Sequence, residues 1–143
     1  VILDVNVLLY AIDSQSRAHE KCRLFIESAL NGRARVGFPW PTILAFLRIA
    51  THPRIMTEPL SIDAAWSFVD DWLAAPVSWV PLPTAKHLAA IRELTTENAL
   101  SGNLIPDAHL AALALEHGVA LVSCDTDFAR FAGLTWINPL TAR

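Results

Sequence analysis

Short apolar runs and amphipathic stripes alternate along the chain. Val1–Leu3 reads as a buried strand, followed at once by a short helix over Val5–Ile12. Within Arg17–Leu30, the residues Cys22, Phe25, Ile26, Ala29 and Leu30 repeat with helical spacing, and Asn31-Gly32 ends that helix. Ala34–Phe38 predicts a strand stopped by Pro39 and Pro41, and Thr42–Ala50 a helix ended by Thr51-His52-Pro53. Ser61 caps a helix whose Ile62, Ala65, Trp66, Val69 and Leu73 are expected to face inward. Val77–Val80 is a strand between Pro76 and Pro81, and Thr84 caps a helix with Leu88 and Ile91 inward. After a polar loop over Thr96–Asn103, Pro106 begins a helix to His117 that Gly118 stops. Val119–Ser123 is a strand, Asp127–Phe131 one helical turn, and Thr135–Ile137 a last strand.

Strands alternating with helices predict an α/β fold of three layers, α/β/α, around a central and mainly parallel sheet. No linker, repeat or low-complexity run divides the sequence, so residues 1–143 are expected to form a single domain.

Acidic residues fall at the ends of these elements. Asp4 follows the first strand, Asp107 opens the Pro106–His117 helix, and Asp125 and Asp127 follow the strand over Val119–Ser123. Taken singly, Asp4 serves as a helix cap, Asp107 as a first-turn acid for the helix dipole, and Asp125 and Asp127 as turn residues. Local duties of that kind would not gather the acids in one place, whereas a parallel sheet would. Sites in such folds open at the carboxyl ends of strands, near a switch in strand order. Asp107 shares a helix face with Leu110, Ala111 and Ala114, which turns it toward the sheet. Crowded carboxylates repel one another and stay ionised readily only around a cation. An all-carboxylate set favours Mg²⁺ or Mn²⁺ over zinc. Asp4, Asp107 and Asp125 are the expected ligands; Asp127 and Asn6 are candidates for accessory roles. His109 projects about 200° around its helix from Asp107 and is expected at the surface. His19, His52, His87 and His117 show no evident partners.

Composition narrows the classes. With 53% hydrophobic and 17% charged residues the chain is no disordered tail. No apolar stretch approaches a membrane span and no secretory signal stands out, which makes a cytoplasmic location the expectation. Cys22 and Cys124, the two cysteines, lie in apolar runs and read as reduced core thiols. A net charge of −3 argues against strong non-specific nucleic-acid binding. It leaves room for a local basic patch from Arg17, Lys21, Arg23, Arg33 and Arg35, with Arg48 and Arg54 further on.

The segments Asp4-Val-Asn-Val-Leu-Leu, Gly102-Asn-Leu-Ile-Pro-Asp107 and Cys124-Asp125-Thr-Asp127-Phe resemble PIN domains, and most closely the VapC toxins of toxin–antitoxin modules. The resemblance extends over nearly the whole chain, including Leu44-Ala-Phe-Leu-Arg48. It implies a metal-dependent endoribonuclease that cuts structured RNA such as tRNA or rRNA and leaves a 5′-phosphate. It further implies a homodimer and a VapB-type antitoxin that inserts an Arg-bearing segment into the acidic pocket. One departure stands out: where the family usually carries a Glu three residues before an Arg, this chain has Ala45. The remaining acids suffice for one metal, with Asn6 or Thr42 as neutral additions. A phospho-receiver domain, also acidic at its strand ends, lacks its adjacent acids here. A PIN-like binding module disabled at Ala45 is the other reading, and metal-dependent turnover separates it from the enzyme.

Overall fold

The computed structural model describes residues 1–142. The elements in chain order are β1 (Ile2–Leu3), α1 (Val5–Ile12), α2 (His19–Leu30), β2 (Val36–Gly37), α3 (Trp40–Ala50) and α4 (Ile62–Ala74). They continue as β3 (Ser78–Trp79), α5 (His87–Glu97), α6 (Leu104–His117), β4 (Leu121–Val122), a 3₁₀ turn (Thr126–Arg130) and β5 (Trp136–Ile137). The strands form one five-stranded sheet in the order β3-β2-β1-β4-β5, and every pairing is parallel. The α/β architecture expected from the alternation is therefore present, and the sheet is parallel throughout.

The chain winds outward from β1 to β2 and β3, then returns to lay β4 on the other side of β1. Strand order switches between β1 and β4, so a crevice opens where their carboxyl ends part. Two cores flank the sheet. One gathers α1 to α4 against Leu3, Val36, Phe38 and Val122; the other packs α6 and Leu94 of α5 against Ile2, Leu121, Phe128 and Phe131. Gly118 closes α6 in the left-handed conformation (φ 64°), a backbone state glycine adopts without steric cost, and lets the chain turn into β4.

A proline break beside the site is repaired by a side chain. The ladder runs Gly37 N–H to the Val1 carbonyl at 2.7 Å, so the next donor to β1 would be residue 39 to the Leu3 carbonyl. Residue 39 is proline and has no N–H. The buried Thr42 hydroxyl donates to the Leu3 carbonyl instead, at 2.8 Å, tying the first turn of α3 to the end of β1.

Several helix faces differ from those read off the sequence. In α4 the buried stripe is Ala65, Val69 and Trp72, while Ile62 and Trp66 are exposed. Trp72 meets Phe46 edge-on at 4.9 Å, and that aromatic cluster sets the rotation of the helix. In α5, Leu94 is buried and Leu88 is 66% exposed, because α5 packs on α6 through His87, Ile91 and Leu94. His109 is not a surface residue but lies half-buried, its Nδ1 3.0 Å from His87 Nε2. His87 Nδ1 lies 2.5 Å from Glu116 Oε2. Glu116 Oε1 in turn accepts from the Thr84 hydroxyl and backbone N–H. The remaining histidines also have partners: His19 the Tyr10 carbonyl, His52 the Arg54 N–H and His117 the Leu82 carbonyl. Except for the local His52 contact, these join separate segments, which the periodicity of one helix does not encode.

Replacing Thr42 with valine keeps the shape and removes the donor, leaving the Leu3 carbonyl without that partner. Thr42→Val is expected to lower unfolding stability by roughly 1–3 kcal/mol. Urea denaturation checks this, and an unchanged midpoint would show that the bond contributes nothing.

Candidate metal centre

The acids expected from the sequence meet at the switch point. Asp4 caps α1, with Oδ1 accepting from the Val5 N–H at 2.7 Å. Asp125 caps the 3₁₀ turn, with Oδ1 accepting from the Asp127 N–H at 2.9 Å. Asp107 lies in the first turn of α6. The local duties foreseen for Asp4 and Asp125 are thus real, and the same backbone geometry brings the side chains together.

Carboxylate oxygens of Asp107, Asp125 and Asp127 lie within 4.8 Å of one another. Asp4 stands beside this trio rather than in it, fixed by a buried network. Its Oδ2 accepts from Ser123 Oγ at 2.7 Å and from Asn6 Nδ2 at 3.1 Å. Asn6 Nδ2 also approaches Ser123 Oγ at 3.1 Å, and Asn6 Oδ1 accepts from the Cys124 N–H at 3.1 Å. Ser123 Oγ accepts from the Asp125 N–H at 3.0 Å. One hydroxyl thus links the acid after β1 to the acid after β4. Ser123 is fully buried, and the sequence marks it only as a polar residue that closes the apolar run Val119–Val122 two positions before Asp125.

Burial and charge crowding both show in the titration. Burial pushes the Asp107 carboxyl up to about 6, reinforced by the charges of Asp4, Asp125 and Asp127. Burial also raises Asp4, and the Asp125 charge adds to this, against the hydrogen bonds from Ser123, Val5 and Asn6. Arg130 lies at the edge of the trio, with Nη2 donating to Asp127 Oδ1 at 3.2 Å.

The donor set suits a hard divalent cation. It is all oxygen, and Asp107, Asp125 and Asp127 would hold such an ion between them. The sulfur of the adjacent Cys124 packs on that of Cys22 at 3.6 Å, away from the carboxylate set. Thr42 lines the crevice next to Asp4 and Asp107, and Ala45 and Arg48 lie on the same wall. Of the other basic residues singled out, Arg23 pairs with Glu20 and Glu27, Lys21 donates to the Leu140 carbonyl and Arg35 stacks on Trp79. Arg48 is the one that faces the acids' crevice.

Comparison with known proteins agrees with this geometry. The family model described as PIN domain matches residues 1–134. The chain is 44% identical over 138 residues to Ribonuclease VapC37 of Mycobacterium tuberculosis (strain ATCC 25618 / H37Rv), covering 96% of each chain. It is 37% identical over 142 residues to Ribonuclease VapC33 of the same strain, covering 98% of each. Among solved structures it resembles VapBC2 from Rickettsia felis bound to a DNA fragment from their promoter, with TM-score 0.71, 18% identity and 96% coverage of each chain. FitAcB from Neisseria gonorrhoeae aligns with TM-score 0.66 and 18% identity over 99% of each chain. At these identities the two structures speak to the fold.

Two predictions follow from the crowding. From its ordinary value of 3.8 to about 6, folded metal-free protein keeps a proton on Asp107 that the unfolded chain has released. Stability from this group therefore falls as pH rises through that window. Asp107→Asn is expected to stabilise the metal-free protein at pH 7 by on the order of 1 kcal/mol after solvent screening, and not at pH 4. It should also weaken the thermal shift given by Mn²⁺; melting curves at the two pH values with and without Mn²⁺ read both effects. Ser123→Ala strips Asp4 of one of its three donors and the Asp125 N–H of its acceptor, and is expected to cost roughly 1–3 kcal/mol. A wild-type urea midpoint would contradict that.

Proposed function

The chain belongs to the PIN-domain family, among its VapC ribonucleases, and from that membership we propose that it is the toxin of a type II toxin–antitoxin module. In this reading it is an Mg²⁺- or Mn²⁺-dependent endoribonuclease that hydrolyses phosphodiester bonds in structured RNA, tRNA or rRNA, in the cytoplasm. The observation that carries the proposal is the trio Asp107, Asp125 and Asp127, closed to 4.8 Å beside a buried Asp4. A cognate VapB-type antitoxin is the proposed partner and a homodimer the proposed toxin assembly. The solved relatives named VapBC support the first of these. No described helix is long and apolar enough to cross a membrane.

Asp107, Asp125 and Asp127 would hold the cation, with Asp4 as a fourth carboxylate at its edge. Bound there, Mg²⁺ or Mn²⁺ supplies charge neutralisation at the phosphate and a more acidic water. The residues of the chain do the rest. Ser123 and Asn6 hold the Asp4 carboxylate in one orientation, so that it need not reorganise during the reaction. Arg130 fixes Asp127 against its own backbone turn, with Nε donating to the Asp127 carbonyl. The starts of α1, α3 and α6 lie at this end of the sheet and place positive helix ends near the incoming phosphate. Arg48, exposed at the crevice, is placed to pair with a backbone phosphate.

Purified protein freed of partner is expected to cut a total-RNA pool at discrete sites with Mg²⁺ or Mn²⁺, and not with EDTA. Asp4→Asn and Asp125→Asn should fold and cut at least roughly 100-fold more slowly. Discrete cuts that survive EDTA, or a fully active Asp125→Asn, would overturn the proposal.

A further inference from the structure

Between the starts of α3 and α6, next to the acids, lies a crevice of about 210 Å³. Asp4, Asp107 and Arg48 line it, together with apolar groups that include Pro41, Ala45 and Pro106. Thr42, in the first turn of α3, reaches the Leu3 carbonyl next to Asp4, and Arg48 is six residues further along, about 9 Å of helix rise, so the acid after β1 and the guanidinium belong to opposite ends of the α3 side. The crevice thus has a cation site at one end, a lone basic group at the other, and apolar walls between them.

We propose that this crevice is a nucleobase pocket, taking an unpaired base that flanks the scissile phosphodiester while Arg48 holds that nucleotide's phosphate. The proposal rests on the ribonuclease reading above and names what the same site selects. Three observations carry it. First, the walls are apolar and rigid. Pro41 and Pro106 lie in the opening turns of their helices, have no N–H, and offer only carbon faces, which suit the flat face of a base. Second, a Glu at position 45 would fill this space with a carboxylate. Alanine removes the charge and leaves an apolar recess, a poor second cation site and a good seat for an uncharged ring. Third, Arg48 at one end and a cation among the acids at the other call for an occupant with a negative charge on each side of a flat apolar group. A single-stranded RNA segment has that pattern, and an apolar protein side chain does not. Trp40, on α3 one turn before Leu44, is 48% exposed and offers a neighbouring base a surface to stack on.

The test uses the whole protein and four 5′-labelled RNA decamers, one of each base, with Ca²⁺ and gel checks of oligonucleotide integrity. Fluorescence anisotropy should separate the best from the worst decamer by roughly tenfold for wild type. Ala45→Leu fills the recess without adding charge. It should weaken the best decamer by about tenfold and bring the four together, while the Mn²⁺ thermal shift stays as in wild type. Ala45→Glu should weaken base selection likewise but enlarge the Mn²⁺ shift, which keeps the test valid if the leucine variant misfolds. Equal affinities of wild type for all four decamers, or wild-type discrimination in both variants, would overturn the pocket. Base-selective binding by a wild-type protein that cuts no RNA would instead sink the ribonuclease reading and leave the pocket standing.

Discussion

Repulsion among carboxylates at the parting of β1 and β4 is the constraint around which the rest of the molecule is arranged. The acids arrive there because the strand order switches, and the parallel pairing of β1 with β4 sets how near they come. Burial raises Asp107 and Asp4, the neighbouring carboxylate charges raise them further, and donors around the cluster offset part of that penalty. Val5 and Asp127 give backbone N–H groups, Ser123 a hydroxyl, Asn6 an amide and Arg130 a guanidinium. The fold holds the acids against their own repulsion, which leaves a cation favoured when it binds.

That arrangement uses each polar group twice. Asp4 starts α1 and belongs to the acidic cluster; Asp125 shapes the 3₁₀ turn and faces Asp107. Ser123 satisfies the Asp125 N–H and clamps Asp4. Thr42 mends the ladder at Pro39 and seats α3 beside the crevice. Such coupling means that a substitution made to probe chemistry also loads the fold, and stability has to be read beside activity for each variant.

Those features explain which parts were legible in the sequence. The acids could be read because each is tied to a local signal, the end of an apolar run or the start of a helix, and the parallel topology does the gathering. The strand and helix order followed from alternation for the same reason. Contacts that join distant elements left no periodic trace. Ser123 reaches Asp4 across 119 positions, and Glu116 reaches His87 across 29. Trp66 and Leu88 looked inward because their spacing fits an apolar stripe; the rotation of α4 is set instead by Trp72 on Phe46, and that of α5 by Leu94. In a helix with apolar residues on more than one face, tertiary packing chooses the buried one.

Ala45 shows how a single departure changes what a crevice can do. A carboxylate there would share the wall with Asp4 and Asp107 and add to the repulsion they already carry. Alanine lowers that repulsion, so the trio Asp107, Asp125 and Asp127 remains the compact ligand set among the described residues. It also turns the α3 wall from polar to apolar between Thr42 and Arg48. Fewer acids lower the demand for cations, and the space released lies in the crevice that Arg48 also lines. Under the proposed function, metal stoichiometry and base selection both depend on this one side chain, and they should change together when a Glu is restored.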